Sequence, residues 1–411
     1  MRPRLHFTAE TGWINDPHGI TFRDGVYHAF YQYVPGSTVW APNCHWGHAV
    51  GPDLLSLKEL PVAIAPGDGD GGIWTGSLVQ DGEDTRILYT STSQPDIGIG
   101  RIRIATPTDS SWIGWEKGDF VADAPPELDI IAYRDPFIRR EADGWRMFVG
   151  AGLRDGTAMA LSYVSDDLEG WAYSGVALQR STRERDPVWT GALWECPQIF
   201  DLDGRAVMVS SVWDDDVLHY AGYAVGDYAG GEFVATSWGR LTYGDSLYAP
   251  SLFQDADGRP CLSFWMRGIA DTEAGWASAH SVPYILRLDD ELLIAEPHPD
   301  LAAHRVEPAR EGDIPGVVAD IEWSPDPGAT LSIESGDREV ALLRYRGDHL
   351  TIETEGTASE MPARGDVRVI VDGPVLEVSS AAGVFGAPIS PAHGGIRVSG
   401  SGGRIESFPL A

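Results

Sequence analysis

The sequence predicts an all-β chain: a five-bladed β-propeller over residues 1–305, followed by a small antiparallel β-sandwich over residues 312–411. Three observations carry that expectation. One short plan, an apolar strand, an Asp-Gly turn and a second apolar strand, recurs five times at nearly equal spacing. Turn formers and aromatics are abundant, with Gly 48, Pro 28 and Trp 15, while long helical patterns are scarce. Beyond the repeats the texture shifts to short alternating runs. At 411 residues the chain is too long for one core of ordinary size and suits two domains.

The five repeats are GITFRDGVYHAFYQY, GSLVQDGEDTRILYTS, PFIRREADGWRMFVGA, PQIFDLDGRAVMVSS and PSLFQDADGRPCLSFW. Asp-Gly between alternating apolar runs is a strong hairpin signal, because tight turns need positive φ and Gly tolerates it. The turn aspartates are Asp24, Asp81, Asp143, Asp203 and Asp257, with successive gaps of 57, 62, 60 and 54. That period sits a little above the usual propeller repeats. Five near-equal units fit five blades of four strands around a central channel. A sandwich would also supply hairpins, but nothing in it calls for this spacing. After DDELLIAEPHPDLAAHRVEPAR come TLSIES, EVALLRY, HLTIETE, DVRVIVD and VLEVSS, the pattern of a small sandwich, with the boundary near residues 303–315.

Charge and cysteine content narrow the partners. Thirty basic against 61 acidic residues leave a formal net charge of -31, which repels a phosphate backbone and argues against nucleic acid. The acidity otherwise reads as a soluble or salt-adapted surface. The three cysteines, Cys44, Cys196 and Cys261, are odd in number and irregularly spaced, against a disulfide framework or a zinc site. The opening MRPRLHFTAETGW lacks the apolar stretch of a signal peptide and no run is long enough to span a membrane, so the expectation is a cytoplasmic chain without membrane contact. Self-association into a homo-oligomer stays open.

Three acidic residues stand eight positions before their turn aspartates: Asp16 before Asp24, Asp135 before Asp143, and Glu195 before Asp203. Each is closely followed by proline, in NDP, RDP and ECP. Equivalent positions in propeller blades converge on the axis, so these carboxylates are expected to meet at one end of the channel. Converging carboxylates repel one another, so at least one should hold a proton near neutrality. Glycoside hydrolysis uses such a split, one carboxylate ionised and another protonated. Calcium is the other use of three carboxylates, but it wants six to eight oxygens and the calcium-loop pattern is missing. No metal and no cofactor are expected; the expected partner is a small carbohydrate.

These motifs resemble glycoside hydrolase family 32, the invertases, inulinases and levanases. WINDPHG, with Asn15 and Asp16, is similar to that family's N-terminal signature, YRDPFI to its RDP motif and WECPQIF to its EC motif. Weaker likenesses are CHWGHAV, IWTGSLV, LYAPSLF, GWASAHSVP and, in the C-terminal part, DVRVIVDGPVLEV. The resemblance implies a retaining hydrolase that releases fructose from sucrose or short fructo-oligosaccharides. By it, Asp16 is the nucleophile, Glu195 the general acid/base and Asp135 the transition-state stabiliser, with Arg134 keeping Asp135 ionised. Asn15 would donate to the sugar or to the nucleophile. Gln32, Trp40, Trp74 and Thr75 would line the fructose pocket, with Trp265 as a further wall. Cys196 reads as a small buried neighbour of the acid, and His45 and His48 as structural hydrogen bonders. His18, Thr75 and Ser246 depart from the commoner family residues at their positions. A fructosyltransferase, a non-catalytic fructan-binding propeller and an inverting five-bladed glycosidase remain open alternatives.

Overall fold

Every segment with a central Asp-Gly pair folds as an antiparallel hairpin in the computed structural model, which describes residues 1–82 and 84–411. Glu83, in the turn of the second predicted hairpin, lies outside the described residues. Hairpin 1 joins Gly12–Arg23 to Val26–Val34, and hairpin 2 joins Gly72–Asp81 to Asp84–Thr92. Hairpin 3 joins Ile130–Glu141 to Gly144–Leu153, and hairpin 4 joins Leu193–Leu202 to Arg205–Asp214. Hairpin 5 joins Leu247–Gln254 to Pro260–Asp271. The turn pairs Asp24-Gly25 and Asp203-Gly204 both have positive φ at each residue, the geometry that matches strand twist. In hairpin 5 the loop is longer, and the Asp255 carboxylate closes it by accepting from the N–H groups of Asp257 and Arg259.

Hairpins 2, 3 and 4 each gain two further strands and stand as separate four-stranded sheets. Hairpins 1 and 5 share one nine-stranded sheet, because Gly12 and Trp13 pair in parallel with Trp276 and Ala277. The first strands touch in sequence. That of hairpin 1 packs against those of hairpins 2 and 5, hairpin 2 against 3, 3 against 4, and 4 against 5. Two short 3-10 turns, Pro299–His304 and Arg310–Gly312, are the only helical elements among the described residues. Among the described residues no helix is long and apolar enough to cross a membrane.

The C-terminal runs form two six-stranded sheets, one of them completed by Thr242–Tyr243 pairing in parallel with Val384 and Phe385, around a common core that includes Trp323, Leu331, Leu343, Ile352, Val369 and Val378. A second core crosses to the hairpin region, where Val318, Ile370, Val384 and Leu410 join Leu5, Leu262 and Phe264. A buried polar staple crosses the same seam. His6 Nδ1 bonds Asp372 Oδ2 at 2.8 Å and His6 Nε2 bonds Glu377 Oε1 at 2.6 Å. The N–H groups of Leu5 and His6 also donate to Asp372, and Tyr284 Oη donates to Glu377.

Candidate active site

The first strands of hairpins 3, 4 and 5 break their ladders at corresponding points. Arg134 pairs with Gly150 and pairing resumes at Phe137; Glu195 pairs with Ser211 and resumes at Gln198; Tyr248 pairs with Trp265 and resumes at Ser251. Each break holds a non-glycine residue at positive φ followed by proline: Asp135 at 66°, Cys196 at 49° and Ala249 at 48°. A pre-proline residue prefers extended backbone, and a left-handed non-glycine costs about 1–3 kcal/mol, so the surroundings must pin it.

Side-chain hydroxyls do so twice. Asp135 N–H donates to Thr90 Oγ1 at 2.8 Å, and Ala249 N–H donates to Ser211 Oγ at 3.0 Å. Thr90 and Ser211 face Trp74 and Glu195 across their hairpins, the places that Gly150 fills opposite Arg134. A Cβ at Gly150 would stand 2.2 Å from the Trp194 carbonyl oxygen, so no hydroxyl residue fits there. Cys196 N–H is thereby left for a different acceptor, Asp135 Oδ2, at 3.0 Å. One missing side chain ties the third hairpin's carboxylate to the fourth hairpin's backbone.

The breaks sort the side chains into two rows. Trp74, Arg134, Glu195 and Tyr248 stand before them; Thr75, Asp135 and Cys196 lie within them, and Asp16 within the break of hairpin 1. The eight-residue count had placed Glu195 in the slot of Asp16 and Asp135. In the structure its counterparts are Arg134 and Tyr248, while Cys196 corresponds to Asp135. The reason is one residue fewer between proline and turn aspartate in hairpin 4.

The row before the breaks is hydrogen bonded through Glu195. Arg134 donates to Glu195 Oε1 through Nε at 3.0 Å and Nη2 at 2.9 Å, and Tyr248 Oη donates to Glu195 Oε2 at 2.6 Å. Arg134 was expected to hold Asp135 ionised; its direct partner is Glu195, and it opposes the Asp135 proton only through space. The Arg134 guanidinium also lies 5.8 Å from the Trp74 ring and 6.0 Å from that of Trp213. Burial, then the charge of Glu195, raises the Tyr248 phenol well above its usual value, so it remains a donor.

The second row gathers on Asp16. Thr75 Oγ1 donates to Asp16 Oδ2 at 2.7 Å, Gln32 Nε2 to the same oxygen at 3.0 Å, and Asn15 Nδ2 to Oδ1 at 3.1 Å. Cys196 Sγ lies between the two aspartates, 3.8 Å from Asp16 Oδ2 and 3.7 Å from Asp135 Oδ2. Burial lifts Asp16 to about 6, opposed by the Thr75 hydrogen bond and reinforced by the charge of Glu195. Burial, then Glu195, raises Asp135 also. Both aspartates of this row therefore hold a proton more tightly than a free carboxyl does.

Aromatic walls flank both rows. Trp40, 39% exposed, meets Trp74 edge-on at 5.7 Å, and Trp74 Nε1 donates to Pro42 O at 2.9 Å. Trp13, which packs against both the Trp74 and the Trp265 clusters, meets Trp265 edge-on at 5.7 Å, and both buried indole N–H groups are without partners among the described residues. Other expected neighbours lie elsewhere. His48 bonds His28 at 3.0 Å and stacks on Phe30, while His45 Nδ1 has no partner among the described residues. His18 lies against Trp46 at 3.8 Å between centroids, and Ser246 Oγ donates to Arg267 O. Asp255, Cys261 and His298 form a buried cluster of ligand-type atoms, but Arg259 Nε already sits 2.6 Å from Asp255 Oδ2.

Sequence reasoning passed over Tyr248, Trp13, Thr90 and the Cys196 N–H. The signal for Tyr248 is present: Tyr-Ala-Pro repeats the Arg-Asp-Pro and Glu-Cys-Pro pattern at the next hairpin.

Comparison with known proteins places this arrangement. The family model described as Glycosyl hydrolases family 32 N-terminal domain matches residues 6–297. A sucrose-6-phosphate hydrolase of Zymomonas mobilis is 33% identical over 320 residues, 72% of this chain and 61% of its own. A levanase of Bacillus subtilis is 29% identical over 400 residues, 84% of this chain and 56% of its own. The chain thus spans about three fifths of the length of these curated relatives. Among solved structures, a family 32 beta-fructofuranosidase of Bombyx mori superposes with a TM-score of 0.86 at 25% identity, covering 100% of this chain and 94% of that one.

Proposed function

The chain belongs to glycosyl hydrolase family 32, and from that premise we propose that it is a retaining hydrolase releasing fructose from β-fructofuranosides such as sucrose and short fructo-oligosaccharides. The observation that carries the reading is the meeting of Asp16, Asp135 and Glu195 around Cys196, each held by its own donors. Asp16 attacks the anomeric carbon of the fructosyl unit while Glu195 gives a proton to the departing oxygen. The bond to the leaving group breaks as the covalent fructosyl-enzyme forms. Glu195 then takes a proton from water, whose oxygen displaces Asp16 from the same carbon and restores the configuration. Oδ2 of Asp16 is occupied by Thr75 and Gln32, which leaves Oδ1 as the attacking atom. Asp135 contacts fructose hydroxyls, and Arg134 and Tyr248 set the orientation of Glu195. Trp40, Trp74 and Trp265 wall the sugar, with apolar C–H faces against the rings. Asn15 holds the second oxygen of Asp16 until substrate arrives.

The same proposal covers the architecture. Residues 1–305 make five propeller blades and residues 312–411 a small sandwich. Support comes from the circular succession of contacts among the five first strands, and from the core shared by the two C-terminal sheets. Three buried, unpaired cysteines favour a reducing, cytoplasmic setting.

The test is release of monosaccharides from sucrose, an inulin-type trisaccharide, a levan-type oligosaccharide and an arabinoside, with Asp16→Asn and Glu195→Gln in parallel. Fructose released by the wild type and lost in both variants supports the assignment. A folded protein that frees no fructose from any of them overturns it.

A further inference from the structure

Two residues past each ladder break the five first strands carry His18, Ser77, Phe137, Gln198 and Ser251, and all five line one cavity of about 60 Å³. Thr75, Asp135 and Cys196 line it too, so the cavity adjoins the row that gathers on Asp16. Resting on the fructosidase reading, we infer that this cavity holds a small cluster of ordered water anchored by His18, and that His18 acts through it as a positioning residue for Asp135.

His18 is 1% exposed, and neither of its ring nitrogens has a partner among the described residues. Trp46 covers one face of the imidazole at 3.8 Å between centroids, and both nitrogens lie on the ring's edge. Burial, then the nearby His280, holds the His18 pKa well below its usual value. The ring is therefore neutral, with one nitrogen that donates and one that accepts. Ser77 Oγ is a second buried polar atom on the cavity wall without a partner among the described residues. The rest of that layer needs nothing: Gln198 Nε2 donates to the main-chain oxygens of Cys196 and Pro250, and its Oε1 accepts from Leu252 N–H. Phe137 has no polar atom to satisfy.

Buried polar groups find either a protein partner or an ordered water. Water both gives and accepts a proton, so one kind of molecule meets both nitrogens and the hydroxyl. At about 30 Å³ each, two molecules fill the cavity, which is far smaller than the roughly 300 Å³ that a sugar-sized ligand needs. No lysine or arginine lines it to draw an anion, and Asp135 is the one carboxylate there, too few oxygens for a hard cation. Among the described residues Asp135 is held from the side of Cys196, whose N–H and Sγ both reach Oδ2. Water fixed by His18 gives that carboxylate a donor from the channel side as well.

A crystal structure of the wild type that resolves ordered water tests the site. Density inside the cavity within hydrogen-bonding reach of a His18 nitrogen is expected. A dry cavity, or ring nitrogens bonded to protein atoms, overturns the inference. Fructose release from sucrose by the wild type, His18→Leu and His18→Asn tests the positioning role. Leucine brings no polar atom, whereas asparagine keeps a donor and an acceptor. In His18→Leu kcat should fall about 5- to 30-fold with KM little changed, because Asp135 acts on the transition state, and His18→Asn should recover most of the loss. A wild-type kcat in His18→Leu, or equal losses in both variants, overturns that role. Should His18→Leu fail to fold, Ser77→Ala removes the second anchor with less change of shape and should lower kcat in the same sense; an unchanged kcat then overturns it. A folded wild type that frees no fructose from sucrose or the oligosaccharides above sinks the fructosidase reading, while the crystal structure still judges the water site.

Discussion

At the residue scale, the site is a set of carboxylates whose neighbours differ. On the proposed mechanism Asp16 must be ionised to attack, and burial has moved it to about 6. The expected kcat/KM therefore falls about tenfold per pH unit below that value, in a pH-rate profile on the free enzyme. The sign for stability runs the other way. A carboxylate raised from 3.8 to about 6 holds its proton more tightly folded than unfolded, so stability is lost as pH rises through that window. Asp16→Asn removes the loss, and its Tm should exceed that of the wild type at pH 7 while the two converge near pH 4. Arg134 gives Glu195 two donors from one planar fork. Lysine offers a point charge instead, and Arg134→Lys should cost about 1.5–3 kcal/mol of transition-state stabilisation, roughly 10- to 150-fold in kcat/KM.

At the element scale, the ladder breaks are what turn five ordinary hairpins into a site. A regular strand would alternate its side chains between faces, and Glu195 and Cys196 could not serve the same cluster. The strain at Asp135 and Ala249 is held by hydroxyls from the preceding hairpin. Thr90→Val removes the acceptor for Asp135 N–H and leaves a buried donor unmet, with an expected loss of about 1–3 kcal/mol in urea denaturation. Ser211→Ala tests the parallel contact under Ala249. Both should destabilise alike, but the Thr90 change should also depress kcat, because the residue it frees carries a site carboxylate. Equal effects on kcat would show that the breaks do not act individually.

At the scale of the whole molecule, the N-terminal segment is bound to the C-terminal sheets by a buried imidazole between two carboxylates. Burial alone would push His6 down, yet hydrogen bonds and charge from Asp372 and Glu377 raise it to about 9. A raised histidine contributes stability that is complete below its unfolded value of 6.5 and is lost as pH climbs through about 9. Urea midpoints should fall across that interval in the wild type. His6→Ala leaves the two carboxylates without their counter-charge, with an expected loss of about 3–5 kcal/mol, and should abolish the pH slope. A retained slope would assign it to another group.

Five hairpins, their order, and the strands of the C-terminal region were legible in the chain, because alternation and Asp-Gly turns are local signals that depend on neighbours in sequence. Asp16, Asp135 and Glu195 were legible for the same reason, as acidic residues repeated beside prolines. What the repeat could not convey was the register of the ladder breaks. A one-residue difference in hairpin 4 moved Glu195 into the row of Arg134 and Tyr248, and made Arg134 its partner rather than that of Asp135. Nor could local pattern announce that the side chain missing at Gly150 frees Cys196 N–H for Asp135, or that His6 answers residues more than 360 positions away. Those contacts depend on which strands end up side by side, and that is set by the packing of apolar faces from the whole chain rather than by the residues that meet.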